Sequence, residues 1–133
     1  MRLRLFFAGL ALGLSAMALS ACASSGAAED SAARAVERYL QAVVAGDTSR
    51  VATLVCAAWE ADAITEADSF LGVKAELKDM SCTNGATDAE GTTVNCRGQI
   101  LATYGNEVQT FELSERAYLA KEEAGEWRMC GYR

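Results

Sequence analysis

Near Phe70 the apolar residues of this chain change their spacing, and the change limits what the chain can become. Before it they recur at every third or fourth position. Ala32, Ala35, Val36, Tyr39, Leu40, Val43 and Val44 form one stripe, and Val51, Leu54, Val55 with Ala58 or Trp59 form a second. After it they alternate. Val73, Ala75 and Leu77 are interleaved with Lys74, Glu76 and Lys78. Val94, Cys96, Gly98, Ile100, Ala102 and Tyr104 then share one side of a run whose other side carries Thr93, Asn95, Arg97, Gln99 and Thr103. Helices first and an antiparallel sheet afterwards predict an α+β domain: a helical hairpin packed on a curved sheet of four or more strands.

Local punctuation sets the boundaries. Asp30 or Ser31 caps the first helix, Gly46 ends it, and Asp47 caps the second. Residues 60 to 69 are acidic and read as a short third helix or an irregular crossover. Thr83 to Gly91 is polar and glycine-bearing, the composition of a loop. Gly105-Asn106 is a tight hairpin turn. Centred there, Ile100 falls opposite Phe111 and Gly98 opposite Leu113. Another strand follows to about Lys121, Glu122 to Gly125 turns the chain, and Glu126 to Tyr132 is the last strand. The apolar phase slips between Leu113 and Tyr118, which predicts a β-bulge, and Gly98 within its strand marks a bend.

Residues 1–21 read as a removable signal peptide: Arg2 and Arg4, then an apolar run from Leu5 to Leu19, then small residues. The exit Leu19-Ser20-Ala21-Cys22 resembles the lipobox of bacterial lipoproteins. That resemblance implies a diacylglyceryl group on Cys22, cleavage before it, and a chain exported and held to the cell envelope by its lipid. The alternative is an uncleaved anchor, since residues 5 to 23 approach the roughly 20 needed to cross a bilayer. Residues 22–29 then form the lipidated cysteine and a small-residue tether, and residues 30–133 a single domain.

Of 12 basic and 18 acidic residues, the signal holds two arginines and no acid, so the mature chain carries a net charge of −8. Such a surface repels phosphate backbones and anionic headgroups, which excludes nucleic acid as a partner and leaves the acyl chains as the membrane attachment. Histidine is absent. A Ser-His-Asp triad, a Cys-His pair and an imidazole metal site are therefore excluded. No cofactor is expected.

Besides Cys22 the cysteines are Cys56, Cys82, Cys96 and Cys130. An even number in an exported domain predicts two disulfides, with three possible connectivities. The spacing lacks the close pairs of a zinc site. Cys82 and Cys96 lie symmetrically about Ala89, so strands joined across that stretch bring them together. Cys56, on a predicted helix, is left to meet Cys130 on the last strand.

The segments Arg34-Ala35-Val36-Glu37-Arg38-Tyr39-Leu40, Ala45-Gly46-Asp47 and Gly125-Glu126-Trp127-Arg128-Met129-Cys130 stand in the order helix, Gly-Asp turn, final Gly-x-Trp strand. In this the chain resembles the nuclear transport factor 2-like superfamily as found in small bacterial lipoproteins. The resemblance covers residues 30 to 132 and implies a cone, its sheet wrapping a helix around a pocket. Pocket-lining candidates are Tyr39, Trp59, Tyr104, Phe111, Tyr118 and Trp127.

Catalytic relatives such as ketosteroid isomerase work through a tyrosine and carboxyl groups. Tyr39, Tyr104, Tyr118, Tyr132, Asp62 and Asp68 are residues of those types, yet none matches the isomerase motif, so no catalytic residue is assigned. The acids of residues 60 to 68 read as a solvated face, Arg97 and Arg128 as members of cross-strand ion pairs. Asp88 and Glu90 lack the alternation of a calcium loop. The expectation is a non-enzymatic binding module for a small apolar ligand or an envelope protein. A histidine-free isomerase or dehydratase using a Tyr/Asp pair is one alternative. A structural homodimerisation domain is another.

Overall fold

The computed structural model describes residues 31–133. Cys22, the signal peptide and the tether lie outside the described residues. Helix α1 spans Ala32–Val44, α2 Thr48–Leu54 and α3 Glu60–Asp68, with a 3-10 turn at Ala57–Trp59 before α3. The strands are β1 Lys74–Asp88, β2 Gly91–Tyr104, β3 Glu107–Glu112, β4 Ala117–Glu123 and β5 Glu126–Tyr132. The domain is α+β, with a mainly antiparallel five-stranded sheet.

The helix boundaries follow from capping. Ser31 Oγ accepts the Arg34 N–H at 3.3 Å and Asp47 Oδ1 accepts the Arg50 N–H at 3.0 Å, so each satisfies one donor that a helix start leaves free. Gly46, at φ +64°, supplies the left-handed residue that turns α1 into α2. All seven residues of the first stripe are buried. Val36, Tyr39 and Val43 meet Val51, Val55, Val94 and Met129 in the core, where α1 packs across β1, β2, β4 and β5. Two polar clips fix its position: Asn84 Oδ1 accepts the Ala33 N–H at 2.8 Å, and Glu37 Oε1 accepts the Cys82 N–H at 3.0 Å. The second clip, with an ion pair to Arg34, satisfies the nearly buried Glu37 carboxylate.

The long strand β2 organises the sheet. Along one side it pairs with β1; along the other, Thr92–Asn95 pairs with β4 and Gln99–Tyr104 with β3. Gly98 divides the halves. Opposite it β1 carries two residues, Asp79 and Met80, where the pairing skips from Lys78↔Gln99 to Ser81↔Arg97. Asp79 has φ +53° and Gly98 φ +100°. A Cβ on Gly98 would lie 2.6 Å from the carbonyl oxygens of Lys78 and Asp79, so only glycine allows the strands to approach here. The bulge also reverses the parity of β1, and so Leu77 and Cys82 both face inward.

Three features differ from the sequence expectations. Thr83 to Asp88 is strand, not loop, and the β1–β2 turn is only Ala89-Glu90, with Asp88 Oδ1 accepting the N–H groups of Glu90 and Gly91. A polar strand exposed on both faces has the composition of a loop, which is why the pattern hid it. The phase slip between Leu113 and Tyr118 is a 3-10 turn at Leu113–Glu115, and the bulges lie in β1 and β5 instead. Gly98 does not oppose Leu113: pairing runs from Tyr104↔Glu107 through Ile100↔Phe111 and ends at Gln99↔Glu112. Of the two readings for residues 60 to 69, the short third helix is the one formed, with Ala63 and Ala67 buried.

Disulfides join Cys82 to Cys96 across directly opposed positions of β1 and β2, and Cys56 to Cys130, with Cα separations of 4.1 and 4.9 Å. Cys56 stands just past α2, not within it. Its N–H donates to the Met129 carbonyl at 2.8 Å and Val55 forms a parallel bridge to Met129, which aligns the segment with β5. Both disulfides are consistent with an oxidising, extracytoplasmic compartment. Among the described residues no helix is long and apolar enough to cross a membrane.

Candidate functional site

Beyond Gly98 the sheet and α3 diverge, leaving a cavity of about 600 Å³ that opens to solvent. One wall is α3 and its C-cap, where Asp62, Thr65, Glu66 and the capping Ser69 follow at helical spacing beside the buried Ala63 and Ala67. The facing wall is built from Ile100 and Tyr104 of β2, Phe111 and Glu112 of β3, and the turn into β4 with Leu113, Glu115 and Arg116. Trp59, Tyr118 and Tyr132, with Leu40 and Phe70, complete the lining.

At the inner end Glu66 gathers three partners. Its Oε2 accepts the Tyr39 hydroxyl at 2.6 Å, and the Tyr132 hydroxyl lies 2.6 Å from both carboxylate oxygens. Arg116 Nη1 stands 3.7 Å from Oε1, with its guanidinium carbon 4.8 Å from the centre of the Tyr132 ring. Hydroxyl donors on a carboxylate form strong, charge-assisted bonds. Tyr132 also meets Trp59 edge-on, with ring centroids 5.6 Å apart, and Tyr118 at 5.4 Å.

The cluster sets the titration of its phenols. Burial, then Tyr132 and the Glu66 carboxylate, push Tyr39 far above the ordinary tyrosine range; burial, then Glu66, do the same to Tyr132. Tyr118, whose hydroxyl donates to the Leu113 carbonyl at 3.3 Å, is pushed up to about 12, again by burial first. All three are neutral donors at physiological pH.

Of the sequence candidates, Trp59, Tyr104, Phe111 and Tyr118 line this cavity. Tyr39 is wholly buried behind it and reaches it only through Glu66. Trp127 lies elsewhere, half-buried on β5 opposite Glu122. Asp62 is on the rim, Asp68 is exposed away from the cavity, and Glu66 is no part of a solvated face. Arg128 pairs with Glu126 two residues away on its own strand, not across strands, and its Nη1 donates to the Thr53 carbonyl. Arg97 is exposed and makes no ion pair among the described residues. Asp88 and Glu90 bind Arg133, at 2.7 and 3.2 Å.

Sequence reasoning missed Glu66 and Arg116, and listed Tyr132 only by type. Simple alternation from Trp127 and Met129 points Tyr132 outward. The bulge at Cys130–Gly131 returns it to the inner face, and Gly131, at φ +123°, was the available signal. Among the described residues one group has metal-ligand proximity, Cys56, Glu123 and Cys130, and its two sulfurs are joined as a disulfide. No family model, no curated protein and no solved structure matches the chain.

Proposed function

We propose that this chain is an exported, lipid-anchored binding module, a nuclear transport factor 2-like cone that holds a small, largely apolar molecule without transforming it. The observation that carries the reading is the cavity. Its volume of about 600 Å³ falls within the range of small-molecule sites. Aromatic rings form much of its wall, and its polar cluster is satisfied internally by Tyr39, Tyr132 and Arg116. Such a cluster gives a fixed inner end against which a ligand packs. Phe111 and Tyr104, 42% and 40% exposed at the cavity mouth, are apolar surface that a ligand would cover.

The test is native mass spectrometry on protein extracted gently from its own envelope. The expected spectrum shows the lipidated chain with an additional small mass that survives purification and leaves on denaturation. A lipidated chain carrying nothing, or only a protein partner, overturns the small-ligand reading. The anchor has its own test: Cys22→Ala should accumulate as unprocessed precursor, and a cleaved, lipid-bearing variant would refute it.

A further inference from the structure

Four carboxylates face this cavity, from Asp62, Glu66, Glu112 and Glu115, against one cation, Arg116. Arg116 is matched to Glu66. Gln99 donates to Glu112 at 2.6 Å, a contact that leaves its charge uncompensated. Asp62 and Glu115 have no ionic partner among the described residues. The surplus is therefore three negative charges, on two facing walls: Asp62 on α3, Glu112 and Glu115 at the end of β3 and its turn. Tyr104, Phe111 and Trp59 line the same cavity.

We infer that the ligand is an organic cation, an apolar body bearing an ammonium group that sits among the rim carboxylates and against the aromatic rings. This rests on the reading of the cavity as a ligand site and names the ligand's charge. Two arguments support it. An anion entering the mouth would face three uncompensated carboxylates, and the one guanidinium is already opposed by Glu66. A neutral molecule would gain from the walls but not from the rim. The cavity also displays the proposed mode of binding, because Arg116 stacks on Tyr132 while paired to a carboxylate. Rings and acids are the two elements that recognise ammonium groups when desolvated together.

The experiment uses the full lipidated chain in phosphatidylcholine nanodiscs, titrated calorimetrically with three probes of one shape and corrected against empty discs. The probes are benzyltrimethylammonium, its uncharged carbon isostere neopentylbenzene, and benzylsulfonate. A Trp59→Phe comparison assigns that indole's NMR signal as a local reporter. The expected result is that the cation binds at least about tenfold more tightly than the other two. Added salt narrows the gap, and the exposed-site double variant Asp62→Asn/Glu115→Gln abolishes most of it while affinity for the neutral probe holds. Equal or tighter binding of the neutral or anionic probe, with the Trp59 signal moving, overturns the charge inference and leaves the pocket reading intact. Saturation by none of the three, with the Trp59 signal still, overturns both.

Discussion

The two halves of β2 share one strand and one inward parity, yet they do opposite work. From Gly91 to Arg97 the strand lies between β1 and β4, is cross-linked through Cys96, and buries Val94 and Cys96 under α1. From Gln99 to Tyr104 it lies between β1 and the fully exposed β3, and its inward side chains Ile100 and Tyr104 face a cavity. The difference is one of covering: helix and disulfide close the first half, while α3 stands off from the second. A small domain can hold an open cavity when a neighbouring region is over-constrained, and the disulfides supply that constraint.

High pH should strike the junction of the two halves, with the largest effect. Tyr39, Tyr118 and Tyr132 stand where the closed core meets the inner end of the cavity, and all have folded pKa values raised above the unfolded value near 10. Their contribution is complete below pH 10. Above it the unfolded chain loses phenolic protons first, so stability falls as pH rises, by up to about 1.4 kcal/mol per pH unit for each tyrosine. Urea midpoints between pH 8 and 12 check this, and a flat profile to pH 12 would contradict the buried cluster.

Removal of the disulfides probes the closed half. Replacing Cys56 and Cys130 by alanine opens a loop of 74 residues and should cost about 4.5 kcal/mol; replacing Cys82 and Cys96 opens one of 14 and should cost about 3. The loops are nested, so the double loss is less than additive. Denaturant curves should rank the variants in that order.

Gly98→Ala tests the division itself. The methyl group meets two carbonyl oxygens at a strained φ, so a loss of about 1–3 kcal/mol is expected. Hydrogen exchange should quicken on both sides of the bulge, and a change confined to one half would deny Gly98 its dividing role.

The smallest effect is at the hairpin tip. Arg133 holds the Asp88 carboxyl well below the usual carboxylate range. A depressed pKa gives stability that is present above pH 4 and lost as the pH falls through the folded value. Arg133→Ala should leave the global midpoint almost unchanged, as exposed ion pairs do, and should quicken amide exchange only near Asp88 and Glu90.

Legibility in the sequence follows the same division. The helical hairpin, its caps and the Ile100↔Phe111 register are visible in the residue pattern, because each depends on neighbours within a few positions. The cavity is less so. Glu66 resembles every other acid of its segment until α3 is known to be a helix lying on Ala63 and Ala67. Arg116 follows a turn that imitates a phase slip, and Tyr132 needs a bulge to face inward. Periodicity reports regular elements, whereas this site is assembled where regularity breaks.

The bulge opposite Gly98 has a consequence for change over time and for redesign. The extra residue lies in β1, so β2 keeps its alternation through both halves and residues 99–116 can vary without disturbing the inward order of residues 92–96. The molecule thus separates a braced chassis from a mouth built on the far side of the bulge. A library confined to the mouth would alter the cavity lining while the packing around α1 and the cystine-linked strands is inherited intact.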